Sequence, residues 1–151
     1  MNPDNLAILD SELRRDEGVR YEPYRDTKGI LTTGVGHNLE ASPLPEGWTY
    51  PLSDDQVNQL LNTDLTETFN ELDIHLPWWK NMDDVRQRVI ANMCFNLGIN
   101  RLLGFFHTLA YMRQGRYDEA ADGMENSAWY GEVGERAVRL CYMMRNGVVM
   151  P

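Results

Sequence analysis

An α+β fold, mostly α, is the class this sequence predicts: a small β-containing N-terminal lobe joined by a long helix to a helical C-terminal lobe. Three observations predict it. Val57, Leu60, Leu61, Leu65, Phe69 and Leu72 recur at helical spacing and form one apolar stripe. Ahead of that stripe, residues 19–37 are rich in Tyr, Ile, Thr and Val and contain one hairpin-like turn, Asp26-Thr27-Lys28-Gly29. Behind it, the chain from Asp83 onward keeps a helical period punctuated by glycines.

Taken in order, Asn2-Pro3 reads as an N-cap followed by a first-turn proline, and Leu6, Leu9 and Leu13 continue at helical spacing. The first helix is expected from about residue 3 to residue 16, with Gly18 as its stop. Strand-like residues follow to His37. Pro43, Pro45, Gly47 and Pro51 make residues 38–52 a loop, with a short strand expected at Trp48-Thr49-Tyr50. Ser53-Asp54-Asp55-Gln56 is a capping box, and its helix is expected to end near His75, before Pro77. At about 1.5 Å per residue such a helix spans about 30 Å, enough to link two lobes.

Asp83-Asp84 opens a segment that is apolar on most sides and closes at Leu97-Gly98, as a central buried helix should. Shorter helices are expected at about 106–114, 117–126 and 134–146, separated by Gly104, Gly115, Gly131 and Gly147. No repeat or linker divides the chain. A single domain over 1–151 is expected, its β-containing lobe at about 14–60 and its helical lobe at about 1–13 and 61–151.

Composition removes several function classes. Hydrophobic residues make up 42%, which argues against disorder, and no apolar run approaches the length of a membrane span. The formal charge of −9 argues against nucleic acid, which calls for a basic patch. Cys94 and Cys141 lie in apolar helical stretches and are expected to be buried, reduced thiols. His37, His75 and His107 show no ligand-like spacing with other donors, so no metal is expected. Gly34-Val35-Gly36 lacks the third glycine and the following helix of a dinucleotide fingerprint. The N-terminal Met1-Asn2-Pro3-Asp4 lacks a basic n-region and an apolar h-region, so release by a separate agent is expected.

Glu17 and Asp26 stand nine positions apart. The first carboxylate stands at a helix C-terminus, where partial negative charge makes an ionised group unwelcome; a general acid has to arrive at its substrate still protonated. The second begins a turn, where aspartate ordinarily caps backbone N–H groups. Two acids flanking one bond are what glycoside hydrolysis requires. Thr32 is a natural strand residue that gains interest only if it shares a water with Asp26. Asp64 falls on the apolar stripe of the long helix, so it needs a partner, and His37 is the one expected: an ion pair tying the β segment to that helix. Asn92 and Asn96, four apart on an apolar helix, either bond internal groups or hold sugar hydroxyls and amides. Trp78-Trp79 and Trp129-Tyr130 suit either sugar stacking or core packing.

Together these residues resemble the T-even phage lysozymes, glycoside hydrolase family 24. The likeness runs through Leu13-Arg14-Arg15-Asp16-Glu17-Gly18, Tyr24-Arg25-Asp26-Thr27-Lys28-Gly29 and Thr32-Thr33-Gly34-Val35-Gly36-His37. It resumes around Asp64, in Asn92-Met93-Cys94-Phe95-Asn96-Leu97-Gly98 and Gly104-Phe105, and ends in Tyr117-Asp118-Glu119-Ala120-Ala121, Trp129-Tyr130 and Arg136-Ala137. It implies a lysozyme-like fold and hydrolysis of the β-1,4 bond between N-acetylmuramic acid and N-acetylglucosamine of bacterial peptidoglycan, by inversion and without a cofactor. Lytic transglycosylase action on the same bond and non-catalytic wall binding are the competing readings.

By the same resemblance Glu17 is the general acid, Asp26 the residue supporting the attacking water or the developing positive charge, and Thr32 the hydroxyl that positions this water. Arg136 is implied to pair with the catalytic glutamate, His37 and Asp64 to be structural, and Phe95 and Asn96 to line the cleft; Asn92 and Phe105 are further candidate substrate contacts. A monomer is implied that is made in the host cytoplasm, does not insert into the membrane, and reaches the wall through a holin-type membrane protein. Three departures stand out: a shorter 38–52 segment, Gly123 in place of an amide near the substrate, and strong negative charge in place of basic character. Because walls are anionic, lytic activity is expected to fall little, or to rise, with salt.

Overall fold

The computed structural model describes all residues, 1–151, and the fold is α+β, mostly α: eight helices and one small antiparallel sheet. The chain separates into two compact units, Ala7–Glu67 and a second made of Met1–Leu6 with Thr68–Pro151.

In the first unit, helix α1 (Pro3–Glu17) places Leu9 and Leu13 in the core and ends where the Gly18 N–H, at φ +76°, donates to the Arg14 carbonyl. Strands β1 (Arg20–Arg25), β2 (Leu31–Gly34) and β3 (His37–Asn38) follow in that spatial order. β1 and β2 are joined by the expected Asp26–Gly29 turn, closed by the Gly29 N–H on the Asp26 carbonyl at 2.9 Å. Their register is irregular between Arg20 and Tyr24. Pro23 lies in this stretch and has no N–H for the ladder. The Thr33 hydroxyl donates to the Glu22 carbonyl there instead, at 3.1 Å.

Trp48–Tyr50 does not form the expected strand. The segment lies between Pro45 and Pro51; the Trp48 N–H turns back to the Pro45 carbonyl, and the main-chain bond to β1 comes from Leu52, whose N–H donates to the Tyr21 carbonyl at 2.8 Å. The third strand is β3, pairing Thr33 with His37 and Thr32 with Asn38. Helix α2 (Asp54–His75) begins at the expected box: Gln56 N–H donates to the Ser53 hydroxyl and Ser53 N–H to the Gln56 side chain. Val57, Leu60, Leu61 and Leu65 are buried from its stripe.

In the helical unit, a short 3-10 helix at Pro77–Asn81 buries Trp79 completely, stacked on Phe69 with its indole N–H on Asp73 at 2.8 Å. Trp79 is thus core. Helix α3 (Asp84–Leu97) is capped by Asp83 and encloses Gln87 through Cys94. Next come α4 (Ile99–Leu103), α5 (Phe106–Arg113), α6 (Tyr117–Glu125), α7 (Ala128–Val133) and α8 (Glu135–Asn146), with α6 packed on α5 and α8. α4 and α7, five and six residues long, escape the periodicity because they offer less than two turns to read. Gly131 lies inside α7; the break falls at Gly134, with φ +69°. No helix is long and apolar enough to cross a membrane.

Candidate active site

Five of the expected residues, Glu17, Asp26, Thr32, His37 and Asp64, belong to the Ala7–Glu67 unit. Glu17 is the last residue of α1 and is half-buried. Arg14, one turn earlier, fixes that end of the helix: its guanidinium donates to Asp10 at 2.5 Å and to the Asn58 side chain of α2 at 2.6 Å. Asp26 does perform the ordinary turn-capping task, and its Oδ1 accepts the N–H groups of Lys28 and Ile30, each at 2.9 Å. Both bonds fall on one oxygen, so capping fixes the carboxylate without involving Oδ2.

Ile30 links Asp26 to Thr32. Its N–H goes to the Asp26 carboxylate, while its carbonyl accepts the Asp26 N–H at 3.0 Å and the Thr32 hydroxyl at 2.8 Å. Thr32 is 4% exposed. With its proton committed to Ile30, its oxygen can only accept from a further partner.

Tyr24, read from sequence only as a strand former and part of a motif, pairs directly with Thr32 across the sheet. Directly opposed residues share one face. Burial raises the phenol above its ordinary value, and the negative charges of Glu17 and Asp26 add to the rise while Arg20 opposes it. Tyr24 therefore stands within electrostatic reach of both carboxylates. Arg20 lies over its ring, 4.7 Å from the centroid.

Gly36, between β2 and β3, also went unnoticed as a neighbour of the acid. A β-carbon built there would lie 2.8 Å from Glu17 Cδ and 2.9 Å from its Oε1. The available signal was a pair of glycines flanking Val35 just before His37.

His37 and Asp64 meet, Nδ1 to Oδ2, at 2.8 Å, and His37 Nε2 reaches the Ser42 carbonyl at 2.7 Å. Both partners are acceptors, which favours a ring carrying both protons. Burial, at 3% exposure, opposes that charge, but the Asp64 hydrogen bond and charge and the Ser42 carbonyl outweigh it, so the imidazole is held above its ordinary value.

The other expected residues belong to the helical unit. Arg136, near the start of α8 and 7% exposed, donates through Nε to Asn92 Oδ1 at 2.9 Å. Asn92 is 1% exposed. Asn96 is half-buried, and its Oδ1 accepts the Trp129 indole N–H at 2.9 Å. Phe105 meets Trp129 edge to face with centroids 6.1 Å apart; Phe95 and Phe105 are both half-buried. Gly123 is explained by packing, since a β-carbon there would collide with the Thr108 hydroxyl of α5. Burial pushes the Cys94 and Cys141 thiols up to about 12, Glu71 and Glu125 adding to it, so neither serves as a nucleophile at neutral pH. No three His, Cys, Asp or Glu side chains converge to hold a metal ion.

The model of the phage lysozyme family matches residues 14–141. This chain belongs to the phage lysozyme family. Among curated proteins, this lysozyme is 28% identical to the "Probable T4-type lysozyme 1" of Dictyostelium discoideum, across 95% of this chain and 97% of that protein. It is 28% identical to the "Endolysin" of Salmonella phage P22 over 74% of this chain and 75% of the other. It is 26% identical to the "Pre-baseplate central spike protein Gp5" of Enterobacteria phage T4, where 97% of this chain spans 28% of the relative. The lysozyme is a glycoside hydrolase.

Proposed function

We infer that this lysozyme acts as an endolysin that hydrolyses the β-1,4 bond between N-acetylmuramic acid and N-acetylglucosamine in bacterial peptidoglycan, with inversion, and so lyses the host cell. The observation that carries the reading is the Ile30 link, which holds the Asp26 carboxylate and the Thr32 hydroxyl in one rigid turn. Its endolysin relative supports the wall as substrate.

A water shared by these two groups gives one hydrogen to Asp26 and the other to the Thr32 oxygen, whose own proton is engaged by Ile30. Its lone pair then points at the anomeric carbon. Glu17 donates its proton to the glycosidic oxygen as the C–O bond breaks and the water oxygen bonds from the opposite face; Asp26 takes up the proton the water loses. General acid–base assistance of this kind contributes about 10²–10⁴-fold.

Phe95, Asn96 and Phe105 are the proposed sugar contacts. Asn96 accepts from Trp129 through its oxygen, which leaves its amide nitrogen to donate. Of the two roles open to Asn92, bonding an internal group is the one favoured: an enclosed amide engaged by a guanidinium holds Arg136 rather than a sugar. His37 and Asp64 brace β3 on α2. The enzyme works as a monomer, without cofactor, and reaches the wall from the host cytoplasm through a hole-forming membrane protein. The spike-protein relative supports a second setting for the same chemistry, a wall-cutting module within a larger assembly.

Digestion of purified peptidoglycan by wild type and Glu17→Gln, with reducing-end assay and mass spectrometry of the fragments, tests the reading. Hydrolysis by this mechanism yields reducing muramic acid ends from wild type and at least a hundredfold less from the variant. Wild-type rates from Glu17→Gln, or 1,6-anhydro ends from wild type, would overturn it; the latter is the product of a transglycosylase, which needs neither Asp26 nor Thr32.

A further inference from the structure

We propose that Gly36 is a positioning residue for catalysis, the surface against which the Glu17 carboxyl is set. The inference rests on Glu17 being the general acid. A β-carbon at 36 would lie 2.8 Å from Cδ, 2.9 Å from Oε1 and 3.0 Å from Cγ of Glu17, closer than β-carbons approach their neighbours in folded proteins. The three atoms nearest to it all belong to the movable end of the Glu17 side chain. The fold can therefore accept a methyl group at 36 by swinging the carboxyl aside. The loss falls on the direction of proton delivery, where an ångström of misplacement is expensive.

The same turn supplies its own control. Gly34 and Gly36 both have φ +63°. Alanine at either position carries the same left-handed backbone strain. A β-carbon at Gly34 would meet only Leu60 Cδ1, at 3.6 Å, an ordinary contact. Strain is thus common to the two substitutions, and contact with Glu17 belongs to one.

Gly36→Ala and Gly34→Ala are compared on purified peptidoglycan or a soluble chitooligosaccharide, with melting temperatures measured alongside. We expect similar melting losses in both. Gly36→Ala should lower kcat at least tenfold with KM within about twofold of wild type, and should move the alkaline limb of the kcat–pH profile. Gly34→Ala should keep kcat within about twofold and the limb in place. Equal kcat in the two variants, or a Gly36→Ala defect confined to KM, overturns the proposal. If Gly36→Ala does not fold, adding Glu17→Ala removes the colliding atoms and should restore folding; failure to restore it overturns the proposal as well. Inactive Glu17→Gln together with Gly36→Ala behaving like Gly34→Ala rejects the positioning role alone. An active Glu17→Gln rejects the reading beneath it.

Discussion

In the Ala7–Glu67 unit the Asp26 carboxylate is held by main-chain N–H groups of its own turn, and Glu17 rests against a bare glycine; both stay half-buried. In the helical unit the polar groups hold one another through side chains, Arg136 on Asn92 and Trp129 on Asn96, and Arg136, Asn92 and Trp129 are enclosed. Backbone support fixes an acid while leaving one oxygen uncommitted. Side-chain support commits the atoms it joins, Arg136 Nε with Asn92 Oδ1 and the Trp129 indole with Asn96 Oδ1. The first arrangement suits chemistry and the second suits rigidity. The His37–Asp64 pair brings the second kind into the small unit, where it serves structure.

The largest test of this contrast is Asp26→Asn. The amide oxygen still accepts from Lys28 and Ile30, so the melting temperature should change by less than about 2 °C, while kcat falls about a hundredfold because the amide takes no proton. A large loss of stability would mean that the carboxylate is chiefly a turn cap. Thr32→Val should cost less, about tenfold in kcat, since Asp26 still holds the water by one bond. Thr32→Ser, which keeps the hydroxyl, should recover most of that loss.

Asp64→Asn probes the structural pair. Removing one charge of a nearly buried pair should destabilise by about 2–3 kcal/mol in urea unfolding near pH 6. A raised histidine stabilises fully below its unfolded value, about 6.5, and that contribution is lost as pH rises through the higher folded value. The gap between wild type and Asp64→Asn should therefore narrow by pH 9. A gap that widens instead would show that His37 is neutral in its pair. Asn92→Ala should cost about 2 kcal/mol, the price of depriving a buried guanidinium of one acceptor.

How far the sequence carried these inferences differed between the two units as well. α1, α2 and α3 were legible to within a residue because each has a long apolar period and a capping residue. The β1–β2 turn was legible from Asp26 and Gly29, and the His37–Asp64 contact from a charge that could not stand alone on an apolar stripe. What stayed hidden was set by neighbours distant in sequence. The main-chain bond to Tyr21 of β1 comes from Leu52 rather than from Trp48–Tyr50, and the two-residue β3 is too short to signal itself. The bond between Asn92 and Arg136 depends on the packing of α3 against α8, which no local pattern announces. The approach of Gly36 to Glu17 depends on two elements that no spacing rule relates.

The smallest expected effect concerns the whole surface. With a formal charge of −9, this lysozyme should lyse anionic walls no more slowly at 150 mM salt than at 20 mM, as screening relieves repulsion. A steep fall in rate over that range would contradict a repulsive encounter.

The most direct measurement is the anomeric configuration of the first product, read by proton NMR within the first turnovers on a soluble oligosaccharide cleaved at a β-1,4 bond. Displacement by a water held on Asp26 and Thr32 gives the α-anomer before mutarotation. A β-anomer formed first would contradict a held water and would make Asp26 a covalent nucleophile instead.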